Sequence, residues 1–224
     1  MSEVKPLDRV EVYRLIRAAE TPRDRGFISS LYLTAARISE ILKLRKNDLK
    51  LIEYNGSKYI IVRLETLKRR KYSERLIPIP LEDVFTAPIL RYLRCVERGD
   101  ARLYPFTRRW GHRTVREAAV RAGVRNGHVW PHLLRHSRIT ELAPHLSQIE
   151  LAIYAGWALP KTLGPMRRYI HLDWRSYAHK IPVQRRGGNT LPSTAGIGVE
   201  AHPPLPQATE PKAVSYTHLR AHET

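Results

Sequence analysis

Two short segments carry cationic side chains where a helix of a soluble protein would place apolar ones. In Arg37-Ile38-Ser39-Glu40-Ile41-Leu42-Lys43-Leu44, a rotation of about 100° per residue puts Ile38, Ile41, Leu42 and Leu44 on one arc, and Arg37 falls inside it. A half-buried guanidinium there needs an anion, either Glu40 nearby or the phosphate of a ligand, because an unpaired buried charge costs several kcal/mol. In His132-Leu133-Leu134-Arg135-His136, which Pro131 introduces, His132, Arg135, His136 and Ile139 stand at i, i+3, i+4 and i+7. That stripe holds three hydrogen-bond donors, and its bland alternative is a solvated basic face. Its histidine pair has metal-ligand spacing, but the metalloprotease pattern needs Glu directly after the first His, and Leu133 stands there.

A third segment pairs an aromatic donor with a candidate nucleophile. Gly156-Trp157 ends a helical pattern, and Tyr169 follows in Met166-Arg167-Arg168-Tyr169-Ile170-His171-Leu172. Two adjacent arginines favour phenolate over phenol, which is what a tyrosine nucleophile requires. Spacing alone does not select Tyr169 among the 11 tyrosines. Tyr154 lies in an apolar helix and is expected in the core, while Tyr177 is the spare candidate.

Charge narrows the partner. The 224 residues hold 39 Lys+Arg against 21 Asp+Glu, a formal net charge of +18. From Val183 onward four basic groups (Arg185, Arg186, Lys212, Arg220) meet three acidic ones (Glu200, Glu210, Glu223), so all but one of those charges belong to the first 182 residues. A body with that excess repels itself unless a polyanion covers it, and nucleic acid is the commonest such partner; the bland reading is a merely soluble, highly charged surface. No basic amphipathic helix with a Trp/Phe/Leu face marks a membrane surface, and no apolar run is long enough to span one. The N-terminus lacks the apolar stretch of a signal peptide, and Cys95, the one cysteine, can form neither an internal disulfide nor a thiolate metal cluster, which agrees with a reducing, cytoplasmic setting.

These groups must be held by a mainly helical fold. The chain reads as one domain over residues 1–182 and a disordered or non-native tail over 183–224, rich in Pro and Gly and closing on the atypical VSYTHLRAHET. Asp8 can cap a helix running to about Glu20; a second spans about Arg23–Thr34 and a third opens near Arg37. Runs at Asp48–Tyr54 and Lys58–Leu64 flank Asn55-Gly56, a two-strand turn signal, and Arg75–Ile79 adds a third strand of a small antiparallel sheet. Helical period returns over about Val84–Glu97, Thr114–Ala122, His132–Ala143, Gln148–Ala155 and Trp174–Ile181, with Gly99, Gly123 and Gly156 as stop signals.

Taken in order, Arg-Ile-Ser-Glu-Ile-Leu at 37–42, a lysine-containing hairpin ending Arg-Leu-Ile-Pro-Ile at 75–79, His-Leu-Leu-Arg-His-Ser at 132–137, Gly-Trp at 156–157 and Tyr-Ile-His at 169–171 resemble the catalytic domain of the tyrosine recombinase (phage integrase) family. The resemblance covers about residues 6–180, and the Arg-Arg-Tyr-Ile-His-Leu-Asp wording is most similar to archaeal integrase-like members.

The resemblance implies site-specific DNA recombination, in which strands are cut and rejoined through a 3′-phosphotyrosyl intermediate. It assigns Arg37 and Arg135 to the scissile phosphate, His132 to the same phosphate and to proton transfer, Trp157 to an indole N–H donor, and Tyr169 to attack on phosphorus. Proton supply to the leaving oxygen falls to a hairpin lysine, Lys68 or Lys71; Thr-x-Lys favours Lys68, although a gapless count back from Pro78 lands on Arg70. No metal or small-molecule cofactor is implied, and the partners are double-stranded DNA and further copies in a tetrameric synapse, with the protein cytoplasmic, nucleoid-associated or in a host cell. Ala36 stands where many members have Gly, and the Trp157–Tyr169 spacing is about three residues longer than in many bacterial members, which permits a looser tyrosine loop or cleavage in trans. About 36 residues precede Arg37, too few for the family's upstream DNA-clamping domain, so the chain is expected to be a fragment, a minimal recombinase or a competitor of a longer enzyme. The alternatives are a DNA-binding regulator without cleavage and a type IB topoisomerase-like relaxation of supercoils. Affinity for any duplex is expected to fall by orders of magnitude between about 50 and 200 mM salt, as read by fluorescence anisotropy; a flat salt response would leave the charge excess without a nucleic-acid partner.

Overall fold

Asp8 supplies what a helix start lacks: its carboxylate accepts the Glu11 N–H at 2.7 Å while the Glu11 carboxylate accepts the Asp8 N–H at 3.0 Å, closing a capping box on α1, Arg9–Ala18. The computed structural model of the chain describes residues 4–68, 71–158 and 173–185, except for the side chains of 66–68 and 71–73. Thr21 caps α2, Pro22–Thr34, by accepting the Asp24 N–H at 3.1 Å. Residues Phe27 to Thr34 are buried without a gap, which makes α2 the central element, packed by α1, α4 (Ala87–Leu93) and α6 (Pro131–Leu142). Its exit is abrupt: Ala35 adopts left-handed φ 47°, and the chain turns into α3, the single turn Ile38–Ile41.

A three-stranded antiparallel sheet follows, in the order β1 (Leu49–Tyr54), β2 (Ser57–Lys68), β3 (Lys71–Pro80). Asn55 and Gly56, at φ 50° and 73°, form the expected tight turn and pair Tyr54 with Ser57. β2 and β3 run beyond their apolar stretches as far as the Lys68–Lys71 pair, because backbones already in register continue their ladder whatever their side chains are. Ile60, Val62 and Leu64 pair with Ile79, Ile77 and Arg75, and all six are buried. Over these three pairs the buried face of the hairpin is apolar except for a single guanidinium.

The mainly helical layout with a small sheet is as expected, with four local differences. α4 ends at Leu93 rather than near Glu97, and Gly99 caps no helix. Instead the Asn47 N–H donates to the Gly99 carbonyl at 3.0 Å, and a Cβ on Gly99 would lie 2.2 Å from the Asn47 side-chain oxygen, so this glycine permits a close approach. α5, Arg108–Ala122, begins six residues before the expected Thr114. Its first turns lack an apolar period, but Thr107 caps them and Gly111 fits closely against Ile38 and Phe27. Finally, the segment expected as a helix over Trp174–Ile181 is two 3-10 turns, Trp174–Ser176 and Ala178–Lys180. There the Ser176 hydroxyl bonds the Asp173 carbonyl at 2.8 Å, and Tyr177, at φ −126°, breaks the spiral. α7, Gln148–Ala155, matches its expected bounds, and Gly123 and Gly156 close α5 and α7 in left-handed conformations. The body extends to Arg185, since the Val84 N–H donates to the Gln184 carbonyl at 2.8 Å; the rest of the expected tail lies outside the described residues. No described helix is long and apolar enough to cross a membrane.

The N-terminal helix is tied to the segment entering α6. The Arg125 fork grips Glu11 at 2.8 and 3.1 Å and also bonds the Pro6 carbonyl at 3.0 Å. That hydrogen bond from Arg125 holds the Glu11 carboxyl below its ordinary value, so its stabilisation is complete above the unfolded value near 4.5 and is lost as pH falls through the lower folded one. Glu11→Gln, which keeps an acceptor for the capping box, is expected to cost roughly 1 kcal/mol at pH 7. In thermal unfolding the gap to the parent protein should close as pH is lowered below about 4.

Candidate functional site

The site begins with one carboxylate shared by two arginines. Arg37 caps α3, and its backbone N–H donates to Glu40 Oε2 at 2.8 Å while its Nη1 donates to Oε1 at 3.1 Å. From β3, Arg75 reaches the same group, Nη2 to Oε2 at 2.7 Å and Nη1 to Oε1 at 3.2 Å. Glu40 and Arg75 are buried, whereas the Arg37 side chain keeps 38% of its surface exposed. Both readings of Arg37 thus have a basis: it pairs with Glu40, and it also faces solvent where a ligand anion can meet it.

A third guanidinium lies beside this pair. Arg135, on α6, is 3% exposed and donates Nη2 to the Ala155 carbonyl at 2.7 Å and Nη1 to the Ala35 carbonyl. Burial, and after it the positive charges of Arg37 and Arg75, lower the Arg135 pKa to about 10, with Glu40 opposing them. The group stays charged at neutral pH. Three guanidinium groups against one carboxylate leave a local surplus of two positive charges, an arrangement suited to a phosphodiester.

The carboxyl end of α7 completes the frame. Arg75 Nε donates to the Tyr154 carbonyl at 3.2 Å, next to the Ala155 carbonyl taken by Arg135, so two cations sit on the negative end of the helix dipole. Gly156 is obligatory here on two counts: its φ is 66°, and a Cβ would lie 2.7 Å from Arg75 Nη1. The turn then fixes Trp157, whose backbone N–H donates to the Ala152 carbonyl at 2.8 Å and whose side chain is exposed.

Among the expected site residues, the structure brings Arg37 and Arg135 together, with His132 in their field. His132 is exposed at the start of α6; burial first, and then the charges of Arg135, His136 and Arg37, lower its pKa below the ordinary 6.5. A neutral imidazole at neutral pH can accept or relay a proton. Trp157 stands on the α7 turn that Arg75 and Arg135 hold. Lys68 is the last residue of β2 and pairs with Lys71 across the hairpin end, but both side chains, like Tyr169 and Arg70, lie outside the described residues. Tyr154 is core, as expected. The spare candidate Tyr177 is also core: it is fully buried, its hydroxyl donates to the Leu76 carbonyl at 3.1 Å, and burial pushes its phenol far up.

Arg75 was not among the expected site residues. The alternation of β3 carried the signal, since Arg75 stands in phase with Ile77 and Ile79 and so on the inward face.

Comparison with known proteins agrees with this frame. The family model described as the phage integrase family matches residues 5–174. A tyrosine recombinase of Thermosipho africanus (strain TCF52B) is 33% identical over 129 residues, covering 54% of this chain and 40% of the relative. Among solved structures, XerA recombinase is 22% identical with a TM-score of 0.56, covering 82% of this chain and 66% of that one. The pre-cleavage complex of XerH site-specific recombinase bound to its difH substrate is 21% identical with a TM-score of 0.51, covering 75% and 51%. At these identities the structures attest the fold, and the chain spans 40% of the length of its curated relative.

An NMR titration of the His132 ring in the free protein should give a midpoint below 6.5. Arg37→Gln, which removes a repelling cation, should move that midpoint upward; no movement would place the two groups out of electrostatic reach.

Proposed function

The chain belongs to the phage integrase family, and on that premise we propose that it cleaves and rejoins strands of double-stranded DNA at specific sites, with Tyr169 as nucleophile. The observation that carries this reading is the cluster of Arg37, Arg75 and Arg135 around Glu40, whose positive surplus opens to solvent at Arg37 and His132. Arg37 and Arg135 hold the two non-bridging oxygens of the scissile phosphate and offset the charge that builds on them in the transition state. The Tyr169 oxygen forms a bond to phosphorus, and the bond from phosphorus to the 5′-oxygen breaks. His132 takes part in moving the phenol proton, and Lys68, with Lys71 as the other choice, gives a proton to the departing oxygen. Trp157 supplies an indole N–H to the phosphate. The phosphotyrosyl ester preserves the phosphodiester energy, so attack by a 5′-hydroxyl of another strand reseals the DNA, and self-association of several copies on paired sites brings that strand near.

Support for DNA as the partner comes from a second face. Arg108, Arg109, His112, Arg113 and Arg116 are all exposed along α5, beside the exposed indole of Trp110. The similar XerH structure is that of a site-specific recombinase bound to its difH substrate.

Incubation with a nicked suicide duplex is expected to give a covalent protein–DNA adduct that survives denaturation. Tyr169→Phe should form none. Arg135→Ala should slow adduct formation by about 100-fold or more while leaving most duplex affinity, because one cation among many adds little to attraction but much to the transition state; thermal unfolding establishes that the variant is folded. Binding without any adduct across many candidate sites would make the chain a DNA-binding regulator instead.

A further inference from the structure

Arg75 lies behind the surface that Arg37 presents to solvent. It is buried, and among the described residues its two Nη atoms donate to Glu40 and its Nε to the Tyr154 carbonyl. Its position still bears on the chemistry, because it competes with Arg37 for one carboxylate. Oε1 of Glu40 accepts from Arg37 Nη1 at 3.1 Å and from Arg75 Nη1 at 3.2 Å, while Oε2 accepts from the Arg37 backbone at 2.8 Å and from Arg75 Nη2 at 2.7 Å. Were Arg75 neutral, more of the negative charge of a buried Glu40 would fall on Arg37 and Arg135, the other described cations around it. Arg37 would be neutralised by an internal partner at the place where it must meet a phosphate.

We infer that Arg75 is a positioning residue whose charge balances Glu40, leaving the charges of Arg37 and Arg135 uncompensated for the scissile phosphate. The same fork sets the α7 turn, since it holds the Tyr154 carbonyl and fills the space that a side chain at Gly156 would need. Glu40 therefore orients Arg37 through its backbone and side chain, and Arg75 prevents that orientation from costing the site its charge. One inward residue of the hairpin thus couples the sheet to α3 and to the turn that carries Trp157.

The inference rests on the proposed cleavage reaction, and the test separates the two. Cleavage is followed with two suicide duplexes, one with an ordinary scissile phosphodiester and one with a methylphosphonate there, in which a neutral methyl replaces one non-bridging oxygen and removes the negative charge. On the phosphodiester, Arg75→Gln is expected to be slower than the parent by about tenfold or more at similar duplex affinity. On the methylphosphonate, which needs less positive charge, the penalty should shrink by several-fold. Arg75→Lys keeps the charge and loses the planar fork, so it should leave the ratio of the two substrate rates at the parent value even if both rates fall; that comparison stands should Arg75→Gln not fold. An equal penalty for Arg75→Gln on both substrates, or a changed ratio for Arg75→Lys, would overturn the inference and reduce Arg75 to a packing role. Absence of any adduct with the parent protein on either duplex would instead overturn the cleavage reading, and this inference with it.

Discussion

A carboxylate withdrawn from water must be matched by cations, and the arrangement around Glu40 follows from that requirement. Glu40 is 5% exposed, and removing one partner of such a buried pair costs about 3–5 kcal/mol. Its contacts to Arg37 and Arg75 come from the N-terminal cap of α3 and from β3, so satisfying one acid draws together elements that are 35 residues apart in sequence. The resulting positive excess comes from sharing. Two arginines divide one negative charge, and a third, Arg135, is held by carbonyl dipoles rather than by an acid.

Those carbonyls belong to residues where the backbone turns. Ala35 leaves α2 in a left-handed conformation, and Ala155 ends α7 just before left-handed Gly156. Arg135 joins the two turns, so the segment carrying Arg37 and the segment carrying Trp157 are registered on the same guanidinium. A non-glycine residue in the left-handed region costs about 1 kcal/mol or more, and at Ala35 the bond from Arg135 helps to hold it. The candidate groups Arg37 and Trp157 are thereby set by interior contacts, an arrangement suited to a preorganised electrostatic site.

A second ionic cluster holds α6 one turn further along. Arg138, three residues beyond Arg135, is 1% exposed and donates to Glu141 Oε2 at 2.7 Å, the oxygen that also accepts from the Tyr32 hydroxyl at 2.7 Å. Arg9 pairs with Glu141 and reaches Asp83 Oδ2 at 2.9 Å. Helices α1, α2 and α6 and the loop after β3 thus meet on buried charges rather than on apolar packing alone. Such pairs add specificity of arrangement more than net stability. Here they set the rotation of α6, on which His132 and Arg135 both depend.

Local chemistry was enough to read the elements with strong periodic or turn signals. The Asn55-Gly56 hairpin, the Asp8 cap and the bounds of α7 follow from φ preferences, capping and side-chain period, all properties of a few neighbouring residues. The charged stripe on α6 and the odd arginine at 37 were visible in the same way, because a cation in an apolar phase conflicts with its local pattern. The early start of α5, the 3-10 turns at Trp174–Lys180, the burial of Tyr177 and the pairing of Arg75 with Glu40 were not visible. Each depends on what lies across the interior: Gly111 on Ile38 and Phe27, the Tyr177 hydroxyl on Leu76, and Arg75 on an acid 35 residues earlier. Periodicity reports which way a residue faces, and by itself the chain determined its mainly helical layout and its cationic candidates; only tertiary structure decided which of those cations share an acid, because charge pairing acts through space and not along the chain.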